Sequence, residues 1–292
     1  MHEGELDIDV GLVRRLVGRQ FPRWAGQPVV PFPSTGTVNA IFRLGDELCV
    51  RLPRVRDWAG DLDKELRWLP ALAPRLPLAV PVPVAAGEPD TGYPFRWAVY
   101  CWLEGASFDR GLIRDEREAA RDLARFVVSL RGIDPSDAPA STRDRPLPAR
   151  DKETRAAIAS AAGMIDAAAV SAAWETALQT PAWTGGPAWT HGDLLPSNIL
   201  ARDGRLAAVI DFGNMGIGDP AVDLIPAWTL FGPAGRAAFR EAVGAEEGSW
   251  ARARGFALHQ AVLIIPYYAE TNPTFAASAK RTIAELVADA VR

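Results

Sequence analysis

Hydrophobic and polar positions follow two rhythms along the chain, and the rhythm changes near Glu104-Gly105. Before that point, short apolar runs read as strands: VVPFP at 29–33, AIFRL at 40–44, LCVRLP at 48–53 and FRWAVYCWL at 95–103. AIFRL and LCVRL flank Gly45-Asp46-Glu47, a spacing that predicts a β-hairpin. Val10, Val13, Leu16 and Val17 share a helix face behind Asp9, an N-cap residue. Leu62, Leu66, Leu69 and Leu72 repeat at helical spacing once Asp61 has opened a helix. LPLAVPVPVAAG at 76–87 is punctuated by proline and extended. After residue 105, helical patterns dominate at 114–131, 151–162, 165–179 and in several segments from 221 to the end. Between them lie AWT at 188–190, NIL at 198–200 and LAAVI at 206–210, the last two flanking an Arg202-Asp203-Gly204 turn. The pattern predicts an α+β chain with a β-rich lobe at 1–104 and a helix-rich lobe at 105–292. The Pro/Asp/Ser-rich stretch 134–150 reads as a long loop.

Composition narrows the class. The 292 residues allow one or two domains, and 48% hydrophobic with 23% charged residues is ordinary for a globular protein. A net charge of −4 speaks against nucleic acid as a partner. Cys49 and Cys101 are the two cysteines, with no CxxC and no His/Cys cluster, so neither a disulfide framework nor a structural zinc site is expected. The longest apolar run, 261–269, is too short to span a bilayer, and the acidic start lacks signal-peptide features. A cytoplasmic protein without a membrane partner is expected; no feature fixes an oligomeric state. Lysine occurs only at Lys64, Lys152 and Lys280, against 29 arginines, a bias that makes any single arginine weak evidence by itself.

The chemistry concentrates in residues 190–224, THGDLLPSNILARDGRLAAVIDFGNMGIGDPAVDL. His191-Gly192-Asp193 is followed by Asn198 and then by Asp211-Phe212-Gly213. Phosphoryl transfer uses these residue types. Carboxylate and amide oxygens suit Mg²⁺, which needs only one or two protein ligands when phosphates supply the rest. A separate carboxylate must receive the proton of the acceptor hydroxyl. The order matches the kinase arrangement H-R-D-x-x-x-x-N followed by D-F-G. Asp219-Pro220 reads as an N-cap followed by proline at a helix start.

This segment resembles the aminoglycoside phosphotransferase family, small-molecule kinases of protein-kinase-like fold, which have H-G-D in place of H-R-D and then G-D-P-x-x-D-L, here Gly218–Leu224. The resemblance extends to STGTVNA, VRLPR and the helix of Glu65. It implies Asp193 as the catalytic base and Asn198 and Asp211 as Mg²⁺ ligands. His191 is implied to be structural, and Asp223 to be a buried carboxylate holding the catalytic loop. Ser34, Thr35, Gly36 and Thr37 would cover the phosphates of ATP or GTP. Arg51 stands where the family's strand lysine is expected, with Glu65 as its ion-pair partner and Cys49 beside the base. In the hinge at 99–105, the Cys101 carbonyl and Leu103 N–H would read the base edge, and Tyr100 would control access behind it. The nucleotide and metal would lie between the lobes.

The acceptor is less defined. The resemblance implies a hydroxyl of an aminoglycoside or related antibiotic. Other family acceptors are macrolides, cyclic-peptide antibiotics, choline, homoserine and methylthioribose. A catalytically inactive binding relative, a metal-dependent hydrolase and a protein kinase are further readings. The last lacks A-P-E and room for an activation loop. From Phe212 onward, eight acidic residues face seven basic ones, which is not the acid-rich balance a polycationic aminoglycoside would want. Asp144, Asp151 and Glu270 are the candidate acids for an acceptor, and Trp228 and Tyr268 (with Phe231 and Tyr267) its candidate aromatic walls. His259 lies in an apolar helix and reads as a core residue.

Overall fold

A computed structural model of the chain describes residues 5–33, 39–56, 59–143 and 145–290. The chain divides into two compact units. The first comprises residues 1–105 with 207–213, and the second residues 106–206 with 214–292.

The first unit carries α1 (Val10–Gln20), β1 (Val29–Phe32), β2 (Asn39–Leu44), β3 (Leu48–Pro53), α2 (Ala59–Leu72), β4 (Pro83–Gly87) and β5 (Trp97–Cys101). The strands form one antiparallel sheet in the order β1-β2-β3-β5-β4. Strand alternation sorts its two faces. Ala40, Phe42, Leu44, Val50, Leu52, Trp97 and Val99 share a core with Leu12, Val13, Leu16 and Val17 of α1. Cys49, Ala98 and Tyr100 point the other way, into a cluster with Leu62 and the partly buried Ile41 and Leu66. Asp9 caps α1, its carboxylate accepting the Leu12 N–H at 2.7 Å. Helix α2 begins at Ala59, two residues ahead of the expected Asp61.

The second unit holds β6 (Ala106–Ser107), α3 (Glu116–Arg131), α4 (Asp151–Ser160), α5 (Ala167–Leu178), β7 (Ala188–Thr190), β8 (Ile199–Arg202) and the start of β9 (Arg205–Val209). Then follow β10 (Gly216–Gly218), α6 (Pro226–Thr229), α7 (Pro233–Val243), α8 (Glu247–Tyr268) and α9 (Pro273–Ala290). Helices α4, α5 and α9 all pack on α8, and α3 packs on α7. Strands β8 and β9 are joined by Asp203-Gly204, both at positive φ (53° and 84°), the tight hairpin that an Asp-Gly pair favours. Segment 207–213, expected in the second lobe, groups with the first unit: Ala79 N–H donates to the Ala207 carbonyl at 3.3 Å, and Val209 N–H to the Ala79 carbonyl at 2.9 Å. The strands β6 and β10 have two and three residues, too short for any periodicity to register. Among the described residues no helix is long and apolar enough to cross a membrane.

The docking of α1 through an apolar face ranks its residues. Leu16 is 1% exposed. Leu16→Ala is expected to cost about 2–5 kcal/mol, and loss of the cap in Asp9→Ala about 1 kcal/mol. Urea denaturation of the two variants checks this, and equal losses would show that α1 is not held by its buried face.

Candidate active site

In the second unit, the chain leaves β7 and turns through His191-Gly192-Asp193 before β8. Asp223 fixes that turn. It is fully buried, and its two carboxylate oxygens accept the N–H groups of His191 and Gly192, each at 2.8 Å. Burial raises the Asp223 pKa to about 6; the two backbone donors and the Arg131 guanidinium oppose that shift. The Asp193 N–H donates to His191 Nδ1 at 3.2 Å, so the buried ring braces the turn from inside. Gly192 sits at φ 80°. A Cβ there would lie 3.1 Å from the Asn214 carbonyl and 3.3 Å from Arg143 Cγ, so the position favours glycine on two counts.

The Asp193 carboxylate is oriented from both sides. Asn198 Nδ2 donates to Asp193 Oδ2 at 3.2 Å and to the Asp193 carbonyl at 2.9 Å. Gln260 Nε2 of α8 donates to Oδ1 at 3.3 Å, and the Arg143 guanidinium lies 3.7 Å from the same oxygen. Sequence reasoning missed Gln260 and Arg143. They lie far along the chain from Asp193 and carry no local spacing signal; at most, Gln260 stands out as an amide next to His259 in the largely apolar stretch 255–265. With Nδ2 spent on Asp193, the amide oxygen of Asn198 is the atom left to present, and the Ser197 hydroxyl donates to it at 3.3 Å.

In the first unit, Arg51 Nη1 donates to both oxygens of Glu65, at 2.9 and 3.2 Å. The Tyr100 hydroxyl donates to Glu65 Oε2 at 2.6 Å, and the Arg51 guanidinium stacks 5.1 Å from the Tyr100 ring. Burial, and then the Glu65 carboxylate, push the Tyr100 phenol far above its ordinary pKa, so it stays a donor. Lys64 Nζ donates to the Gly213 carbonyl and lies 3.0 Å from Asp61, so α2 is tied to the end of the Asp211-Phe212-Gly213 turn. Asp211 holds φ 66°, a left-handed conformation rare outside glycine. Asp61 is thus an ion-pair member rather than a solvated helix-start charge, and Asp63 pairs with Arg96.

Several other expectations change. Ser34, Thr35, Gly36, Thr37 and Asp144 lie outside the described residues. Cys49 is a core residue, 7% exposed and packed with Leu62 and Tyr100; burial pushes its thiol up to about 11. Cys101 is exposed and Leu103 half-buried at the end of β5. Trp228 is no pocket wall: it is 1% exposed, stacked 4.6 Å from Trp250, with its indole N–H on Asp289. Asp151 is occupied, accepting from Trp174 Nε1 and Arg155 Nε, each at 2.8 Å, and these donors lower its pKa. Tyr268 packs edge-on against Phe275, and Glu270 is exposed beyond α8.

His259 is a satisfied core residue. The Thr154 hydroxyl donates to the Arg150 carbonyl, which leaves its oxygen to accept from His259 Nδ1 at 2.8 Å. Burial, and then the charges of Arg150, Arg145 and Arg143, lower the His259 pKa from 6.5 to about 3.

A sequence profile of the phosphotransferase enzyme family (APH) matches residues 29–256, most of the chain. The chain belongs to that family. No curated protein is significantly similar in sequence. Among solved structures, the GDP complex of wild-type aminoglycoside 2'-phosphotransferase-IIIa is similar with a TM-score of 0.71 at 18% identity, over 95% of this chain and 98% of that one. Macrolide 2'-phosphotransferase MphH from Brachybacterium faecium gives 0.62 at 23% identity, over 94% and 97%. The streptomycin-ATP-APH(2")-IIa ternary complex gives 0.62 at 17% identity, over 97% of each chain. The chain is a phosphotransferase with the α+β, protein-kinase-like fold of these enzymes.

The two shifted acids have opposite consequences for stability. His259 titrates below its ordinary value, so its contribution is present above pH 6.5 and is lost as pH falls toward 3. Asp223 titrates above 3.8, so its contribution is present below that value and is lost as pH rises through about 6. The histidine has the larger displacement. Urea midpoints are expected to fall as pH drops from 6.5 to 4, and to fall less steeply in His259→Asn. Parallel curves would show that the fold does not hold His259 neutral.

Proposed function

We propose that the chain transfers the γ-phosphate of ATP or GTP to a hydroxyl of a small molecule, with Asp193 as the catalytic base. The observation that carries this reading is the Asp193 carboxylate, aimed by Asn198 and Gln260 on a loop that the buried Asp223 pins. The acceptor hydroxyl donates its hydrogen bond to Asp193. Its oxygen forms the new bond to the γ-phosphorus while the bond from phosphorus to the β–γ bridging oxygen breaks. The proton passes to Asp193, and the nucleoside diphosphate leaves with the bonding electron pair. The GDP complex of aminoglycoside 2'-phosphotransferase-IIIa and the streptomycin-ATP-APH(2")-IIa ternary complex support a nucleotide donor and a small-molecule acceptor.

Asn198 and Asp211 would hold Mg²⁺. Both present hard oxygen atoms, a carboxylate and an amide carbonyl. That donor set fits Mg²⁺ bound largely through a nucleotide. Bound there, Mg²⁺ supplies positive charge against the phosphate oxygens. Arg51, held by Glu65 and Tyr100, takes the phosphate-positioning place of the strand lysine. Its guanidinium keeps the charge and adds planar geometry. Asp223 and His191 act through the loop rather than on the reacting atoms.

Two variants test the assignment. Asp193→Asn is expected to lower kcat by about 10²–10⁴-fold with the fold intact, the range for loss of a general base. Unchanged turnover would remove the role. Arg51→Ala is expected to weaken Mg²⁺-nucleotide binding by about tenfold, the loss of one charge-assisted contact. It should also lower the melting temperature, because Glu65 is left buried without its cation. Unchanged nucleotide affinity in calorimetry would separate Arg51 from the phosphates.

A further inference from the structure

A cavity of about 350 Å³ opens within the second unit beside the catalytic loop. Its charged lining, among the described residues, is Arg143, Arg145, Arg252 and Asp219. Asp219 is already bound to Arg252, at 2.7 and 3.2 Å, so this pair is internally neutral. That leaves Arg143 and Arg145 as the remaining charge of the described lining. Trp183, Leu147 and Phe256 supply apolar wall.

The two arginines are held in place. The guanidinium of the buried Arg150 donates to the Arg145 carbonyl at 2.8 Å and to the Arg143 carbonyl at 2.6 Å. Upstream, Ser141 N–H donates to the Ile217 carbonyl at 2.9 Å, and Thr142 Oγ1 donates to Asn214 Oδ1 at 2.6 Å. The stem of Arg143 then crosses the space left by the absent side chain of Gly192. Its guanidinium, 43% exposed, lies 3.7 Å from Asp193 Oδ1, the one carboxylate within 4 Å of it among the described residues. Arg145 is 54% exposed; its Nη2 donates to the Ala149 carbonyl at 2.6 Å and its Nη1 lies 3.6 Å from Glu153, which leaves its remaining N–H groups to a ligand. The suppressed protonation of His259, to which both arginines contribute after burial and Arg150, reports the same positive field from behind.

We propose that this cavity binds a hydroxyl acceptor carrying an anionic group, a carboxylate or a phosphate, which Arg143 and Arg145 hold while the hydroxyl meets Asp193. The inference rests on the phosphotransfer reading and deepens it by naming the acceptor class. A polycationic acceptor would bring ammonium groups against the two guanidinium ions. An anionic sugar or hydroxy acid gains charge-assisted, planar hydrogen bonds instead, and the apolar wall takes its carbon face.

The test uses the full chain and four probes: glucose 6-phosphate, glucuronate, glucose and kanamycin. Calorimetry measures binding of each, and nucleoside diphosphate release is followed with Mg²⁺-ATP and Mg²⁺-GTP. The two anionic sugars are expected to bind at least tenfold more tightly than glucose or kanamycin and to stimulate release. Arg143→Glu and Arg145→Glu should each weaken them about 10–100-fold, the range of a lost charged hydrogen bond, and Arg145→Lys should retain most of the affinity. Thermal melting and Mg²⁺-nucleotide affinity confirm that the variants fold. Tighter binding of kanamycin, absence of anion binding to the wild-type chain, or anion affinity indifferent to both charge reversals would each overturn the proposal. Failure of the phosphotransfer reading looks different: arginine-dependent binding of the anionic sugars without Mg²⁺-nucleotide binding or diphosphate release.

Discussion

The buried Asp223 carboxylate is the constraint on which the catalytic loop depends. Two consecutive backbone N–H groups, of His191 and Gly192, converge on it at 2.8 Å. No regular element could satisfy them there, because Gly192 is in a left-handed conformation between β7 and the turn that carries Asp193. Burying a charge is costly, and the pKa raised to about 6 measures that cost against the two hydrogen bonds and Arg131. The return is a fixed backbone at the residue before Asp193. From that fixed point, Asn198 and Gln260 need only trim the orientation of one carboxylate.

The first unit solves a comparable problem with side chains. A buried Glu65 takes two partners, the Arg51 guanidinium and the Tyr100 hydroxyl. Arg51 and Tyr100 stand on the sheet face that α2 covers, opposite the face that α1 packs, and Glu65 meets them from α2. Replacing lysine with arginine on β3 therefore does not leave an isolated charge. One guanidinium nitrogen bonds both oxygens of Glu65, and the planar group lies over the Tyr100 ring. The same arrangement explains why Cys49 is core: it shares that covered face, two residues along β3.

Much of this was legible in the chain because it is local. The hairpin at Gly45-Asp46-Glu47, the Asp9 cap, the Asp203-Gly204 turn and the closeness of Asn198 to Asp193 each lie within a few residues, where spacing fixes geometry. The contacts that were not legible are long-range. Gln260 reaches Asp193 from α8, Arg143 reaches it from the 134–150 loop, and Ala79 draws 207–213 into the first unit. Trp228 illustrates the opposite error. An aromatic residue just after the catalytic segment suggested a pocket wall, but Trp250 of α8 stacks on it and Asp289 of α9 takes its N–H.

The arginines show how structure changes the weight of a residue. In a chain with 29 arginines and three lysines, the presence of Arg143 or Arg145 says little. Their placement says more. A surface arginine chosen by coding bias would extend into solvent, with no reason for its backbone to be clamped. Here a buried Arg150 is spent on the carbonyls of Arg143 and Arg145, and Gly216 lets β10 come close enough to the 139–141 segment for their backbones to pair. Gly192 then leaves room for the Arg143 stem. Three features of the second unit converge on holding the Arg143 guanidinium beside Asp193. A shared phosphotransferase fold fixes where a hydroxyl must sit; the charge around that position is free to differ between members. It is there, rather than in the catalytic constellation, that this chain would set its own acceptor.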